Sequence, residues 1–167
     1  IYRIADQLAQ GISKASVFAA RAIFPDLSAM HHAEGTLAVS KAVRKLTLAA
    51  VMSGLLLTLI AWIVGSTLIS IIGGSEYKAA ASVLIPLVIA ASIELAAVAF
   101  EPMLYATGYA TRALAARLAA GIALATGISV MTFGDPTLIS WVVAFSMGIY
   151  FVAIFTAVRS TLSVNSV

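Results

Sequence analysis

Residues 46–72, LTLAAVMSGLLLTLIAWIVGSTLISII, carry no charged side chain over their whole length. A helix rises about 1.5 Å per residue, so this run is long enough to cross the roughly 30 Å hydrocarbon core of a bilayer. Because a bilayer has no water to hydrogen-bond the backbone, such a run crosses it as a helix. The stretch therefore predicts an integral membrane protein built from helices.

The composition of the whole chain supports a membrane environment. Of its 167 residues, 62% are hydrophobic and 10% are charged, with a mean hydropathy of +1.06. Soluble domains carry about 25% charged residues. The absence of cysteine excludes disulfides and thiolate metal sites. Since the sequence begins at Ile1 without a signal-peptide pattern, we expect a fragment of a longer protein.

Four further segments flank the central run and predict an all-α integral membrane domain with five transmembrane helices. Polar or turn-forming sequences, such as GGSEYK and FGDPT, separate the segments. The runs are too long and too rich in Ala and Leu for the alternating strands of a membrane β-barrel. The predicted helices cover about residues 1–24, 43–72, 79–107, 112–134 and 137–159 of a single domain, 1–167.

The basic residues predict the orientation of the helices. Cytoplasmic loops of membrane proteins carry an excess of Lys and Arg. The first and third connections and the tail are rich in basic residues, whereas the second and fourth are poor. We therefore expect residues 25–45, 107–117 and 159–167 to be cytoplasmic, on the basis of Lys41, Arg44, Lys45, Arg112, Arg117 and Arg159.

The first predicted helix is apolar but has polar side chains along one face. At 100° per residue they fall within about 60° of one another, with Asp6 at the edge. A charge at the centre of a bilayer is costly, so these groups face a bundle interior or a water-filled cavity. Arginine and lysine hold phosphate, and glutamine hydrogen-bonds sugar hydroxyls. We call this face the polar strip and interpret it as a substrate-binding cavity wall: Arg3, Gln7, Gln10, Lys14 and Arg21.

In a second interpretation, fewer residues of the polar strip lie inside the membrane. Long basic side chains near helix ends extend to the membrane interface. Arg3 and Arg21 would then reach opposite interfaces, which leaves Gln7, Gln10 and Lys14 inside the membrane.

The third predicted helix carries two acidic residues on one face, Glu94 and Glu101, which are seven positions apart. Carboxylates inside a membrane carry protons, bind Na⁺ or form structural ion pairs. We expect ion coupling or a structural pair with Lys14, Arg21 or a helix outside this chain, with Asp6 in the same group. Pro86 and Pro102 allow this helix to bend.

Other classes of function lack support in the sequence. The chain contains no Walker sequence, no HExxH, no CxxC and no Ser/His/Asp set. Adjacent His31 and His32 point about 100° apart on a helix, so we expect a solvated loop rather than a metal site. Basic residues do not cluster with aromatic ones, which argues against nucleic-acid binding. We therefore expect neither an enzyme nor a cofactor or metal.

Three short sequence elements in order resemble the polysaccharide (lipid-linked oligosaccharide) flippases of the multidrug/oligosaccharidyl-lipid/polysaccharide exporter superfamily. The resemblance extends from about Ile1 to Arg117, and the order and spacing of the elements are more specific than any one of them. One departure is Asp26, where this family often has a basic residue. The three elements are FPDLS at 24–28, IGGSEYKAA at 72–80 and LYATG at 104–108.

The resemblance implies a transporter of 12–14 helices in two lobes around a central cationic cavity. This chain would form most of the second lobe, beginning at its second helix, and the first lobe would be missing. The substrate would be an undecaprenyl-pyrophosphate-linked oligosaccharide, moved from the inner to the outer leaflet of the bacterial inner membrane by alternating access. Such transport serves cell-surface polysaccharides, including the O-antigen of lipopolysaccharide.

Two alternatives remain open on the sequence. One is a multidrug exporter of the same superfamily, with organic cations as substrates. The other is a non-transporting membrane scaffold subunit, in which the polar strip is buried against another protein.

Overall fold

The computed structural model describes residues 2–74, 81–130 and 135–164. In these ranges every regular element is an α-helix, and four stretches are long and apolar enough to cross a membrane: Ala38–Ile71, Ala81–Ala106, Ala110–Val130 and Pro136–Thr161. They indicate a multi-pass membrane protein. The helices are α1 (Tyr2–Glu34), α2 (Thr36–Gly73), α3 (Ala81–Ala96), α4 (Phe100–Ala106), α5 (Ala110–Val130) and α6 (Pro136–Val164).

Helix α1 is not among the four stretches that meet this length and composition test in the described residues. The polar strip lowers its apolar character below that of the other long helices. Its expected role as a fifth membrane span therefore stays a prediction.

Residues 25–45, which we expected to form a loop, are helical except at Gly35, and their cytoplasmic side stays a prediction. A proline inside a helix removes one hydrogen bond, here to the carbonyl of Arg21, but need not end the helix. Helix α1 continues past Pro25 because the turns beyond it are packed, with Leu27 only 2% exposed. Gly35 then separates α1 from α2 with φ +78°, a conformation that favours glycine.

The basic residues expected in that loop lie instead in the first turns of α2. Lys41, Arg44 and Lys45 are exposed there. The apolar stretch of α2 has 34 residues, or about 50 Å of helix, which exceeds the roughly 30 Å of hydrocarbon. Helix α2 is therefore long enough to cross the hydrocarbon and still hold its basic end outside it.

The single helix predicted at 79–107 is interrupted at residues 97–99, where α3 ends and α4 begins. Short-range bonds replace the α-helical pattern there, including the Val98 amide to the Leu95 carbonyl at 3.1 Å. Pro102 cannot donate to the carbonyl of Val98, which loosens the turn before it. The bend expected from Pro102 is thus a break between two helices.

The ends of several helices follow ordinary capping chemistry. Gly74 follows α2 with φ +94°, a conformation that favours glycine. Gly108 follows α4 with φ +83°, and the amide of Tyr109 donates to the carbonyl of Leu104 at 2.7 Å. At the start of α6, Asp135 accepts a 2.9 Å bond from the amide of Thr137.

The predicted third loop also ends earlier than expected, because α5 begins at Ala110 rather than at 112. Arg112 and Arg117, which we placed in a cytoplasmic loop at 107–117, are residues of this helix. Helix α6 is also longer than its predicted range of 137–159. Residues 75–80 and 131–134, which include parts of GGSEYKAA and FGDPT, lie outside the described residues.

Helices α3 and α4 lie at the centre of the described bundle. Helix α3 contacts α1, α2 and α6, and α4 contacts α1, α2, α5 and α6. The main core joins five of the six helices through small and branched side chains, including Leu27, Val39, Val43, Met103, Leu104, Ala113, Ile154 and Val158.

Small residues allow two pairs of helices to approach closely. At Gly54 of α2, an added Cβ would lie 3.0 Å from the Cβ of Ser92 in α3. The hydroxyl of Ser92 donates to the Gly54 carbonyl at 3.0 Å. Between α5 and α6, a Cβ at Gly127 would lie 2.5 Å from a methyl group of Val142. Such contacts are typical of helix packing in membranes.

One end of the bundle collects basic residues. Arg112 at the start of α5 donates to the hydroxyls of Ser160 and Thr161 at the end of α6, each at 2.8 Å. Arg44 near the start of α2 and Arg159 near the end of α6 line one cavity. The start of α2, the start of α5 and the end of α6 therefore lie at the same end of the bundle.

Candidate functional site

The polar strip lies on an outer face of the described bundle. Gln7, Gln10, Lys14 and Arg21 are all exposed. The side chains of the other two candidates, Arg3 and Asp6, lie outside those that the structure describes. The four described side chains share one exposed face of α1, and their role as a cavity wall stays a prediction.

The packed face of α1 is on the other side of the helix. Ser16 and Leu27 are buried, and Ala20 and Ile23 pack against the core between them. On a helical wheel these residues centre roughly 140° from the centre of the polar strip. Helix α1 therefore binds its neighbours with one face and presents the polar strip away from them.

Exposed apolar side chains border the polar strip on both sides. Phe18 lies on one side and is 68% exposed, and Val17 and Phe24 lie on the other at 42% and 41%. Lys14 lies about 30 Å along the helix from Glu34, far from the basic end. A cation at that position with apolar flanks is unfavourable against lipid tails. The arrangement instead suits a surface that faces water or another polar surface.

A partly buried acid joins three helices in a second polar cluster, which we call the clamp: Glu101 of α4, Arg117 of α5 and Tyr150 of α6. Arg117 donates from Nε to Oε1 of Glu101 at 2.5 Å and from Nη2 to Oε2 at 2.9 Å. The hydroxyl of Tyr150 donates to Oε1 at 2.7 Å. The guanidinium carbon lies 5.9 Å from the centre of the Tyr150 ring.

The clamp supplies three hydrogen bonds and an opposite charge to the carboxylate of Glu101. Without them, a charged carboxylate would be unfavourable in hydrocarbon. The side chain of Glu101 is 14% exposed, and that of Arg117 is 60% exposed. Two parallel N–H bonds from a guanidinium are the strongest geometry for such a pair. The clamp therefore holds α4, α5 and α6 together.

The structure identifies a different partner for Glu101 from the ones that we expected. We proposed Lys14, Arg21 or a helix outside this chain, but Glu101 pairs with Arg117. Glu101 thus forms an ion pair, but with none of the partners that we named, and its role in ion coupling stays a prediction. Arg117 and Tyr150 were missed, because Arg117 was placed in a loop. The available sequence signal was Arg117 itself. A basic residue in the largely apolar stretch after Ala110 needs an acidic partner on a neighbouring helix.

Glu94 is half-buried and lies near the clamp, in α3. It lines a cavity of about 210 Å³ together with Arg117, Ser146 and Tyr150. Arg117 thus borders one acid while it is bonded to the other. Whether Glu94 couples ions stays a prediction.

The described residues contain no group of three or more His, Cys, Asp or Glu that could hold a metal ion. No protein-family model, curated protein or solved structure matches this chain.

Proposed function

We propose that this chain is part of a transporter that moves a lipid-linked oligosaccharide across a bacterial cytoplasmic membrane by alternating access. One observation carries the proposal: α1 presents Gln7, Gln10, Lys14 and Arg21 on the face opposite its packing contacts. A polar, cationic face on a helix attached to a multi-pass apolar bundle needs water or a polar ligand in front of it.

The chemistry of the polar strip fits a pyrophosphate joined to sugars. Lys14 and Arg21 would attract the phosphates, and the amide groups of Gln7 and Gln10 would hydrogen-bond the sugar hydroxyls. The lipid tail would remain in the bilayer beside the protein. The resemblance to flippases of lipid-linked oligosaccharides supports the same substrate class and adds a second lobe that would close the cavity.

The clamp would contribute stiffness to this mechanism. Rocking transporters move one bundle of helices against another as nearly rigid bodies around a fixed site. Three hydrogen bonds to Glu101 tie α4, α5 and α6, and close packing at Gly54 ties α2 to α3. The bundle would then carry the polar strip as one unit.

The exporter of organic cations is the weaker alternative. Such a cavity needs uncompensated acids, but the carboxylate of Glu101 is already neutralised by Arg117. The polar strip itself carries Lys14 and Arg21, which repel cations. The scaffold alternative would instead require that another protein cover the polar strip.

Reconstitution of the full-length protein in vesicles tests the proposal. A fluorescent undecaprenyl-pyrophosphate-linked oligosaccharide is placed in both leaflets, and an impermeant quencher reports the outer one. We expect the inner-leaflet fraction to become accessible faster than in protein-free vesicles. A parallel assay follows the uptake of a fluorescent organic cation. Cation transport without lipid movement would favour the multidrug exporter, and neither activity would favour the scaffold.

A further inference from the structure

A cavity of about 460 Å³ lies between α2, α4 and α6 at the basic end of the bundle. It is separate from the polar strip, because no residue of α1 is among those that line it. Its wall combines apolar side chains with two arginines and two hydroxyl groups. The residues that matter below are Arg44, Thr47, Leu48, Phe100, Phe155 and Arg159.

The charged part of the cavity comes from two different helices. Arg44 belongs to α2 and Arg159 to α6, and both are exposed. No acidic residue is among those that line the cavity. Two guanidinium groups at one cavity without a carboxylate favour an anion, and phosphate is the anion whose geometry arginine matches best.

A hydroxyl group in the same wall has unused hydrogen-bonding capacity. Oγ1 of Thr47 is buried and has no hydrogen-bond partner among the described residues. A buried polar atom without a partner costs free energy, which a hydrogen bond to a ligand would recover after rotation of the Thr47 side chain. Thr47 lies one helical turn from Arg44, on the same side of α2.

The apolar part of the cavity opens toward the surroundings of the bundle. Leu48 is 65% exposed and Phe155 is 43% exposed, whereas Met103 and Val158 are buried. The rings of Phe100 and Phe155 lie 6.0 Å apart, centre to centre, and form part of this wall. In a membrane, exposed side chains of this kind contact acyl chains rather than water.

We propose that this cavity binds an anionic phospholipid of the bilayer. Its phosphodiester lies between Arg44 and Arg159 with a hydrogen bond from Thr47, and one acyl chain lies along Leu48 and Phe155. Basic pockets between membrane helices on the cytoplasmic side bind anionic head groups in this way. A free phosphate ion would gain nothing from the apolar wall. The bound lipid joins the start of α2 to the end of α6, two segments at the end of the bundle opposite Gly74.

Native mass spectrometry of the purified full-length protein, titrated with phosphatidylglycerol, tests this site. The wild-type protein should bind phosphatidylglycerol more tightly than phosphatidylcholine, which carries no net charge. Arg44→Gln with Arg159→Gln should weaken phosphatidylglycerol binding by about 25-fold, or about fivefold per arginine. Thr47→Val should weaken it by about threefold, since it removes one hydrogen bond but keeps the shape.

The matched control removes the same charge next to the cavity but outside it. Lys41→Gln with Lys45→Gln changes two exposed residues of α2 that do not line the cavity. It should leave binding within about twofold. Equal losses in the two double variants would overturn the proposal in favour of general surface charge. Displacement of the lipid by millimolar inorganic phosphate would overturn it in favour of a phosphate site.

Discussion

Replacing Arg117 by alanine is expected to destabilise the protein by about 2 kcal/mol, because it leaves the carboxylate of Glu101 with a single hydrogen bond inside the membrane. Breaking a fully buried pair costs more, about 3–5 kcal/mol. The lower figure applies because the side chain of Arg117 is 60% exposed. The measurement is thermal unfolding of the full-length protein in detergent, with an expected fall of about 5 °C.

A double variant separates the clamp from simple loss of a side chain. Arg117→Met with Glu101→Met removes both charges and should recover part of the loss seen with Arg117→Ala, since no carboxylate is left unpaired. Arg117→Lys should fall between wild type and alanine, because lysine cannot donate two parallel bonds. Lys45→Ala, at an exposed position, should leave the unfolding temperature unchanged. If Arg117→Ala melts like the wild-type protein, the clamp does not stabilise the bundle.

Reversing the charge of Lys14 should remove transport. In cells that depend on the full-length protein for surface polysaccharide, Lys14→Glu should lower surface glycan at least about tenfold at equal protein abundance. The physical reason is that a carboxylate in the polar strip repels the pyrophosphate that lysine attracts. Gln10→Ala should have a smaller effect, since it removes only a neutral hydrogen-bonding group.

Two controls accompany the Lys14 variants. Lys14→Arg keeps the positive charge and should retain most of the glycan. Lys41→Glu makes the same reversal at an exposed site of α2 that is outside the polar strip, and it should leave glycan display near the wild-type level. Normal glycan display in the Lys14→Glu variant would show that the polar strip does not bind the substrate.

Much of the fold follows from apolar run length and helical periodicity. The uncharged run at 46–72 lies wholly within the described α2, Thr36–Gly73. The common face of Gln7, Gln10, Lys14 and Arg21 follows from their spacing, and the structure places it opposite the packed face. Both patterns are local, because each depends on a single helix.

The errors came from features that depend on tertiary contacts. The first helix was predicted to end at Phe24, but packing around Leu27 carries it to Glu34. The pairing of Glu101 with Arg117 joins residues 16 positions apart in two helices, and Tyr150 comes from a third. The sequence around Glu101 shows that its charge is unfavourable in an apolar helix. Only the packing of the helices shows that Arg117 balances this charge.

The central claim is that the polar strip faces a water-filled cavity, and the chemical accessibility of Lys14 tests it most directly. This chain contains no cysteine, and any cysteine elsewhere in the full-length protein is replaced by serine, so that each variant carries a single thiol. Phe145→Cys, on a 72% exposed apolar position of α6, reports the lipid-facing surface. A charged, water-soluble thiosulfonate reacts with thiolates, which form only where water reaches them. We expect Lys14→Cys in membranes to react at least about tenfold faster than Phe145→Cys, and equal, slow reaction at both positions would contradict the claim.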